Sequence, residues 1–438
     1  MNRGKAKVRF DAARDAAVDF CRRHRDLLGD DTVLVRDIVG RIRIALFSPL
    51  ALPQAICEEL DGILGAWSPG IGSLLLVGSE LLDPDAIFKS PEARPVAPGL
   101  RFLDRRISAR DWISRNGVKA PAALPTIAFF GVKGGVGRST ALSVIARRLA
   151  EKGQRVMVMD LDLESPGVSS LLLPEAGLPS FGIVDWLVES GVGQADEELL
   201  LSMIAPSMLA NGTAGQIQVM PAAGDKADTY VAKLARIQTS SDAPSGYGAA
   251  LARLLDAIAR LDRPPTVVLL DCRAGIDDLA AVAITSLATE ALLFAVGTPQ
   301  TWLAYRMLFS IWNKDARVLD AFREKLQIVA GLVPETERDA YMARLRGNAY
   351  DLFAEFLYEE EPSSDGHDPT APFDVFNFDP EDGQAPHFAI PVLWRRELQD
   401  FDPINRPEAE TRDGLSAFDE LARYVEGCLP AASGESHA

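Results

Sequence analysis

The pattern of apolar and polar positions divides the chain into two stretches of different texture. Over residues 1–120 the apolar runs are short. Residues 12–28 and 54–67 repeat apolar positions at helical spacing, the second placing Ile56, Leu60, Ile63 and Leu64 on one face. Residues 32–35, 42–47, 72–77 and 100–106 are candidate strands. These elements predict a small N-terminal α+β module. A proline-rich stretch at residues 121–125 then reads as a linker. Beyond it, helical runs alternate with short, wholly apolar runs at residues 126–130, 155–159 and 266–270. That alternation predicts an α/β domain over residues 121–438, with a mostly parallel sheet flanked by helices.

The turn after the first of these strands carries the chemistry. Residues 131–140 read GVKGGVGRST, and residues 139–150 continue as a helix with Leu142, Ile145 and Leu149 at helical spacing. Strand, glycine-rich turn and helix together form the setting a phosphate-binding loop requires. Gly134, Gly135 and Gly137 let backbone N–H groups close on phosphate oxygens without Cβ clashes, and Val136, Arg138, Ser139 and Thr140 complete the candidate binding loop. The helix N-terminus adds partial positive charge there. Ser139 is placed to contact Mg²⁺.

Two further strands end in acids. Residues 155–159 run into Asp160 and Asp162, and residues 266–270 run into Asp271, followed by Cys272, Arg273, Ala274 and Gly275. Carboxylates at the carboxyl ends of parallel strands lie where such sheets bind ligands. They suit Mg²⁺ contact, for Asp160 and Asp271, or the orienting of a water for phosphoryl transfer, for Asp162. Gly275 would leave the following loop free to respond to a phosphate.

On these motifs residues 121–430 resemble the ParA/MinD class of P-loop ATPases, and closely its KGGVGR-motif variant subgroup. Residues 181–187, 217–224 and 291–300 are similar to further segments of that class. The resemblance implies ATP and Mg²⁺ as cofactors, and a homodimer formed around nucleotide. It implies that Lys133 reaches across the dimer to the partner's phosphates, that Asp162 orients water, and that Ser139 and Asp271 serve the metal. Lys133, Asp162 and Arg138 form the implied catalytic set. Arg138 stands where the class usually has a phosphate-gripping lysine, and a planar guanidinium on a longer stem does not occupy lysine's compact position. The asparagine that reads adenine in the class has no counterpart near residues 326–334. Two readings remain open: a slow ATPase switch controlling a protein partner, or a nucleotide-stabilised scaffold without turnover.

Composition narrows the partners. The chain has 438 residues, 62 acids against 45 Lys and Arg, and a formal net charge of −17. That balance opposes nonspecific DNA binding, so nucleic acid and a DNA-partition role are not expected. Residues 351–386 hold 11 acids and no Lys or Arg, and read as an exposed acidic insertion. Within it Phe373, Phe376 and Phe378 form either a docking stripe for a basic partner or a few side chains tucked onto the domain. The partner would meet the N-terminal module or this insertion. Arg101, Arg105, Arg106, Arg110, Arg115 and Lys119 read as a solvated basic face. The four cysteines lie far apart, without the paired spacing of a zinc or iron–sulfur site. A polar N-terminus and the lack of a long apolar run predict a cytoplasmic protein with no membrane attachment.

Overall fold

The computed structural model describes residues 7–50, 52–106, 112, 124–240, 246–313, 319–359, 375–405 and 412–430. The chain separates into two compact units, Met1–Ile107 and Ser108–Ala438.

Unit 1 holds a five-stranded mixed sheet. Its strands are β1 (Thr32–Arg36), β2 (Ile42–Leu46), β3 (Leu75–Val77), β4 (Arg94–Ala97) and β5 (Leu100–Asp104), in the order β3-β2-β1-β5-β4. Helices Phe10–Arg23 and Gln54–Leu64 bury Ala17, Phe20, Leu60 and Leu64 in a core that also takes Leu34, Ile44 and Phe102. The sequence pattern did not reveal β4, whose Pro95 and short length give it no strand-like alternation. The candidate basic face is neutralised locally: Arg101 pairs with Asp31 at 2.6 Å and Arg106 with Asp104 at 2.7 Å. Arg110, Arg115 and Lys119 lie outside the described residues.

Unit 2 is built on an eight-stranded sheet. Its strands are β6 (Thr126–Gly131), β7 (Arg155–Asp160), β8 (Ala205–Pro206), β9 (Gln216–Met220), β10 (Val267–Asp271), β11 (Glu290–Ala295), β12 (Leu326–Val333) and β13 (Ile390–Leu393). They lie in the order β13-β12-β11-β6-β10-β7-β9-β8, and every pairing is parallel except β8 with β9. Side chains alternate between the two faces of such strands. Ile127, Phe129, Val156, Val158, Val267 and Leu269 enter one hydrophobic layer, while Ala128, Phe130, Met157, Met159, Val268 and Leu270 enter the other. Both faces are covered, which is why these strands read as unbroken apolar runs.

Trp112 is completely buried among unit 2 side chains, its ring 5.9 Å from those of Phe130 and Trp312. Residue 112 therefore packs with the sheet domain, although the pattern placed residues 1–120 in the N-terminal module. Of the proline-rich stretch, residues 121–123 lie outside the described residues. The acidic insertion also changes character. Residues 351–356 close the helix Arg338–Phe356 rather than opening a loop. Phe376 and Phe378 pack with Tyr358, and Arg323 lies over the Phe376 ring, so these two rings are tucked in and offer no docking stripe. Phe373 and residues 360–374 lie outside the described residues. Helix Asp419–Gly427 buries Leu421, Ala422 and Val425 in unit 2. Among the described residues no helix is long and apolar enough to cross a membrane.

Candidate phosphate and metal site

Parallel register brings the acids together. On adjacent strands β7 and β10, Asp160 and Asp271 are direct partners, following Met159 and Leu270. Alternation turns both carboxylates to the face where the helix Arg138–Glu151 begins. The loop joining β6 to that helix passes over the same sheet end. Gly135 and Gly137 have φ of +72° and +82°, a region that a side chain rarely adopts, and Gly137 caps the helix. A Cβ at Gly134 or Gly135 would meet nothing within 4 Å, so the loop keeps a bare, open backbone face. This exposed face beside a helix N-terminus fits an oxyanion such as phosphate. Lys133 is exposed beside it and makes no hydrogen bond or ion pair among the described residues.

Arg138 behaves differently from Lys133. Its side chain is 10% exposed; its Nε donates to Asp271 Oδ1 at 2.6 Å and its Nη2 lies 3.5 Å from Asp162 Oδ2. Ser139 Oγ donates to the other oxygen of Asp271 at 2.7 Å. Burial works against the charged guanidinium, yet the Asp271 carboxylate outweighs it and holds Arg138 above its ordinary value. Burial raises Asp271, with Arg138 pulling it back. Burial likewise raises Asp162, opposed by Arg138 and by the Ser165 N–H.

Asp160 is completely buried and is pushed up to about 7 by burial and by the Asp271 charge. Its Oδ2 accepts from Ser169 Oγ at 2.6 Å and Ser169 N at 3.1 Å, and its Oδ1 from Asp162 N at 3.2 Å. Both oxygens of this expected metal contact are thus used within the protein, tying the start of helix Val168–Leu172 to the end of β7. The site so far comprises an open phosphate cradle, one exposed lysine, and a buried arginine–carboxylate cluster.

Residues 124–181 match the ParA family model, described as NUBPL iron-transfer P-loop NTPase. Over these residues unit 2 is similar to P-loop NTPases of the ParA type. Comparison with curated proteins gives no match. Among solved structures, pNOB8 ParA bound to nonspecific DNA is 18% identical, with 70% of this chain and 98% of that chain covered and a TM-score of 0.43. A variant of Cyanothece McdA in complex with ATP is 11% identical, with 71% and 99% covered and a TM-score of 0.46. Cobyrinic acid a,c-diamide synthase from Mycobacterium smegmatis, with bound ATP analog and magnesium, is 19% identical, with 55% and 86% covered and a TM-score of 0.38.

Unit 2 also uses residues that no motif announced. Arg273 joins Glu164 at 2.6 Å and lies 4.0 Å from Asp162, linking the loops after β7 and β10. Asp277 caps helix Asp278–Val282 through Leu279 N and Ala280 N, and lies 3.9 Å from Arg273. Tyr230 donates its hydroxyl to the Leu163 carbonyl, holding the loop that carries Asp162. Gly275, with φ of +90°, is anchored through its N–H to the Gly131 carbonyl at 3.1 Å. Cys272 is buried, and burial pushes its thiol up, leaving it inert.

Proposed function

We propose that the ParA-type unit binds ATP with Mg²⁺ at residues 133–140, and that nucleotide state controls a homodimer and, through it, a protein partner. The observation that carries this reading is the open glycine backbone of Gly134 and Gly135 beside the exposed Lys133, which has no hydrogen-bond or ion-pair partner among the described residues. A free cation at the rim of a phosphate cradle suits phosphates entering from solvent or from a facing copy. Ser139 and Asp271 would serve the metal, which would supply charge neutralisation at the phosphates. Asp162, held by the Ser165 N–H at 3.1 Å, would orient water. Thr140 and the N–H groups from Gly135 to Thr140 would complete the cradle.

The alternative, a scaffold that binds nucleotide without turnover, is favoured by one observation: Arg138 is committed to Asp271. Calorimetric titration with ATP and Mg²⁺, followed by a phosphate-release assay, separates the two. Turnover that disappears in Asp162→Ala supports the ATPase. Binding without any turnover supports the scaffold, and no binding refutes both.

A further inference from the structure

Arg138 closes the phosphate loop in sequence, yet its guanidinium is committed to the carboxylates of the sheet rather than to the exposed loop. Asp160, Asp162 and Asp271 are all buried, at 0%, 8% and 0% exposure. Arg138 is the one buried cation in contact with them among the described residues; Arg273 is one-third exposed and comes no closer than 4.0 Å to Asp162. A buried carboxylate without a counter-charge is strongly unfavourable. An ammonium is a compact point charge, whereas a guanidinium can bridge two acids. Here it spans Asp271 at 2.6 Å and Asp162 at 3.5 Å, while Ser139 Oγ takes the second oxygen of Asp271. The groups expected to serve a metal are therefore satisfied by one another and by the arginine.

We propose that Arg138 is the built-in counter-cation of this site and competes with Mg²⁺, so that a divalent ion reaches Ser139 and Asp271 only when the guanidinium has withdrawn from Asp271. This deepens the nucleotide-binding reading, on which it rests for its role in the cell. It gives the departure from lysine a physical consequence: the cluster is charge-balanced before any metal arrives. Removing the guanidinium leaves Asp271, Asp162 and the Ser139 hydroxyl as hard oxygen ligands without a cation, a set that suits Mg²⁺.

The test uses no nucleotide, so its outcome is independent of whether ATP is the ligand. Thermal melting of the full chain and of Arg138→Met is compared in EDTA and in millimolar MgCl₂, with NaCl matched for ionic strength. The proposal expects no Mg²⁺ response in the wild type and a rise of roughly 3 °C or more in the variant. Arg138→Lys, which keeps a charge, should respond less than Arg138→Met. Equal responses in wild type and Arg138→Met would overturn the proposal. Should Arg138→Met be unfolded in EDTA, its recovery with MgCl₂ supports the proposal, and continued unfolding with MgCl₂ overturns it.

Discussion

Replacing Arg138 by methionine keeps most of the apolar stem and removes the cation from a carboxylate with no access to water. In the wild type Arg138 Nε sits 2.6 Å from Asp271 Oδ1, and Asp271 is completely buried. In Arg138→Met that carboxylate can stay ionised and unpaired, at a cost of about 3–5 kcal/mol. It can instead take up a proton. Starting from the ordinary value of 3.8, holding that proton costs about 4 kcal/mol at pH 7 but only about 1.5 kcal/mol at pH 5. The cheaper route sets the loss, and burial already raises Asp271 in the wild type. A deficit of about 2–4 kcal/mol near pH 7 results, shrinking towards about 1 kcal/mol or less at pH 5.

The sign comes from linkage. Without Arg138 the folded-state value of Asp271 moves further above its unfolded value. Stability is then retained at low pH and lost as pH rises through the window between the wild type's raised value and the variant's higher one. Urea unfolding between pH 5 and 8, followed by tryptophan fluorescence, measures this in unit 2, because Trp67 is the only one of the six tryptophans in unit 1. The double variant Arg138→Met/Asp271→Asn should recover most of the loss at pH 7. A deficit that does not change with pH, or one below about 1 kcal/mol at pH 7, would refute the buried counter-charge argument.

Three other substitutions probe the frame around the site. Burial raises Glu290 to about 7, with Tyr424 and Lys325 opposing it, so its contribution is present at low pH and is lost as pH rises towards 7. Glu290→Gln should therefore gain on the order of 1–3 kcal/mol over wild type at pH 8 and little at pH 4, read by chemical denaturation at both. Trp112→Ala should destabilise unit 2 by about 3–5 kcal/mol, since the ring fills a completely buried slot between Phe130 and Trp312; an unchanged melting midpoint would exclude that packing. Gly331→Ala would place a Cβ 2.5 Å from the Val136 carbonyl oxygen, so β12 or the phosphate loop must move. The expected cost is about 1–3 kcal/mol with weakened ATP affinity, measured by melting and titration.

Much of unit 2 was legible because its strands are buried on both faces and its chemistry follows a local strand–loop–helix pattern. The loop at residues 131–140 and the acids at the ends of β7 and β10 are contiguous signals that need no knowledge of distant packing. The partnership of Arg138 with Asp271 spans 133 positions, and only the sheet order makes them neighbours. Nothing local distinguishes an arginine aimed at a phosphate from one aimed at a buried acid. Ser169 was invisible as the holder of Asp160 for the same reason, because a serine nine residues on carries no pattern. For Phe376 and Phe378 the pattern left a docking stripe and tucked side chains both open, and packing decides for the second. Their acidic surroundings suggest exposure, while their rings close on Tyr358. Trp112 sat in a stretch without periodicity, so its place in the sheet domain could be read only from packing.

Lys133, exposed at the loop's rim and without a partner among the described residues, is proposed to reach the phosphates of a facing copy. Light scattering of the full chain at saturating ATP and Mg²⁺ measures it most directly. The wild type should double in mass on adding ATP, and Lys133→Ala should stay monomeric while still binding nucleotide. A wild type that remains monomeric with ATP bound, or a Lys133→Ala variant that dimerises as well as wild type, would contradict it.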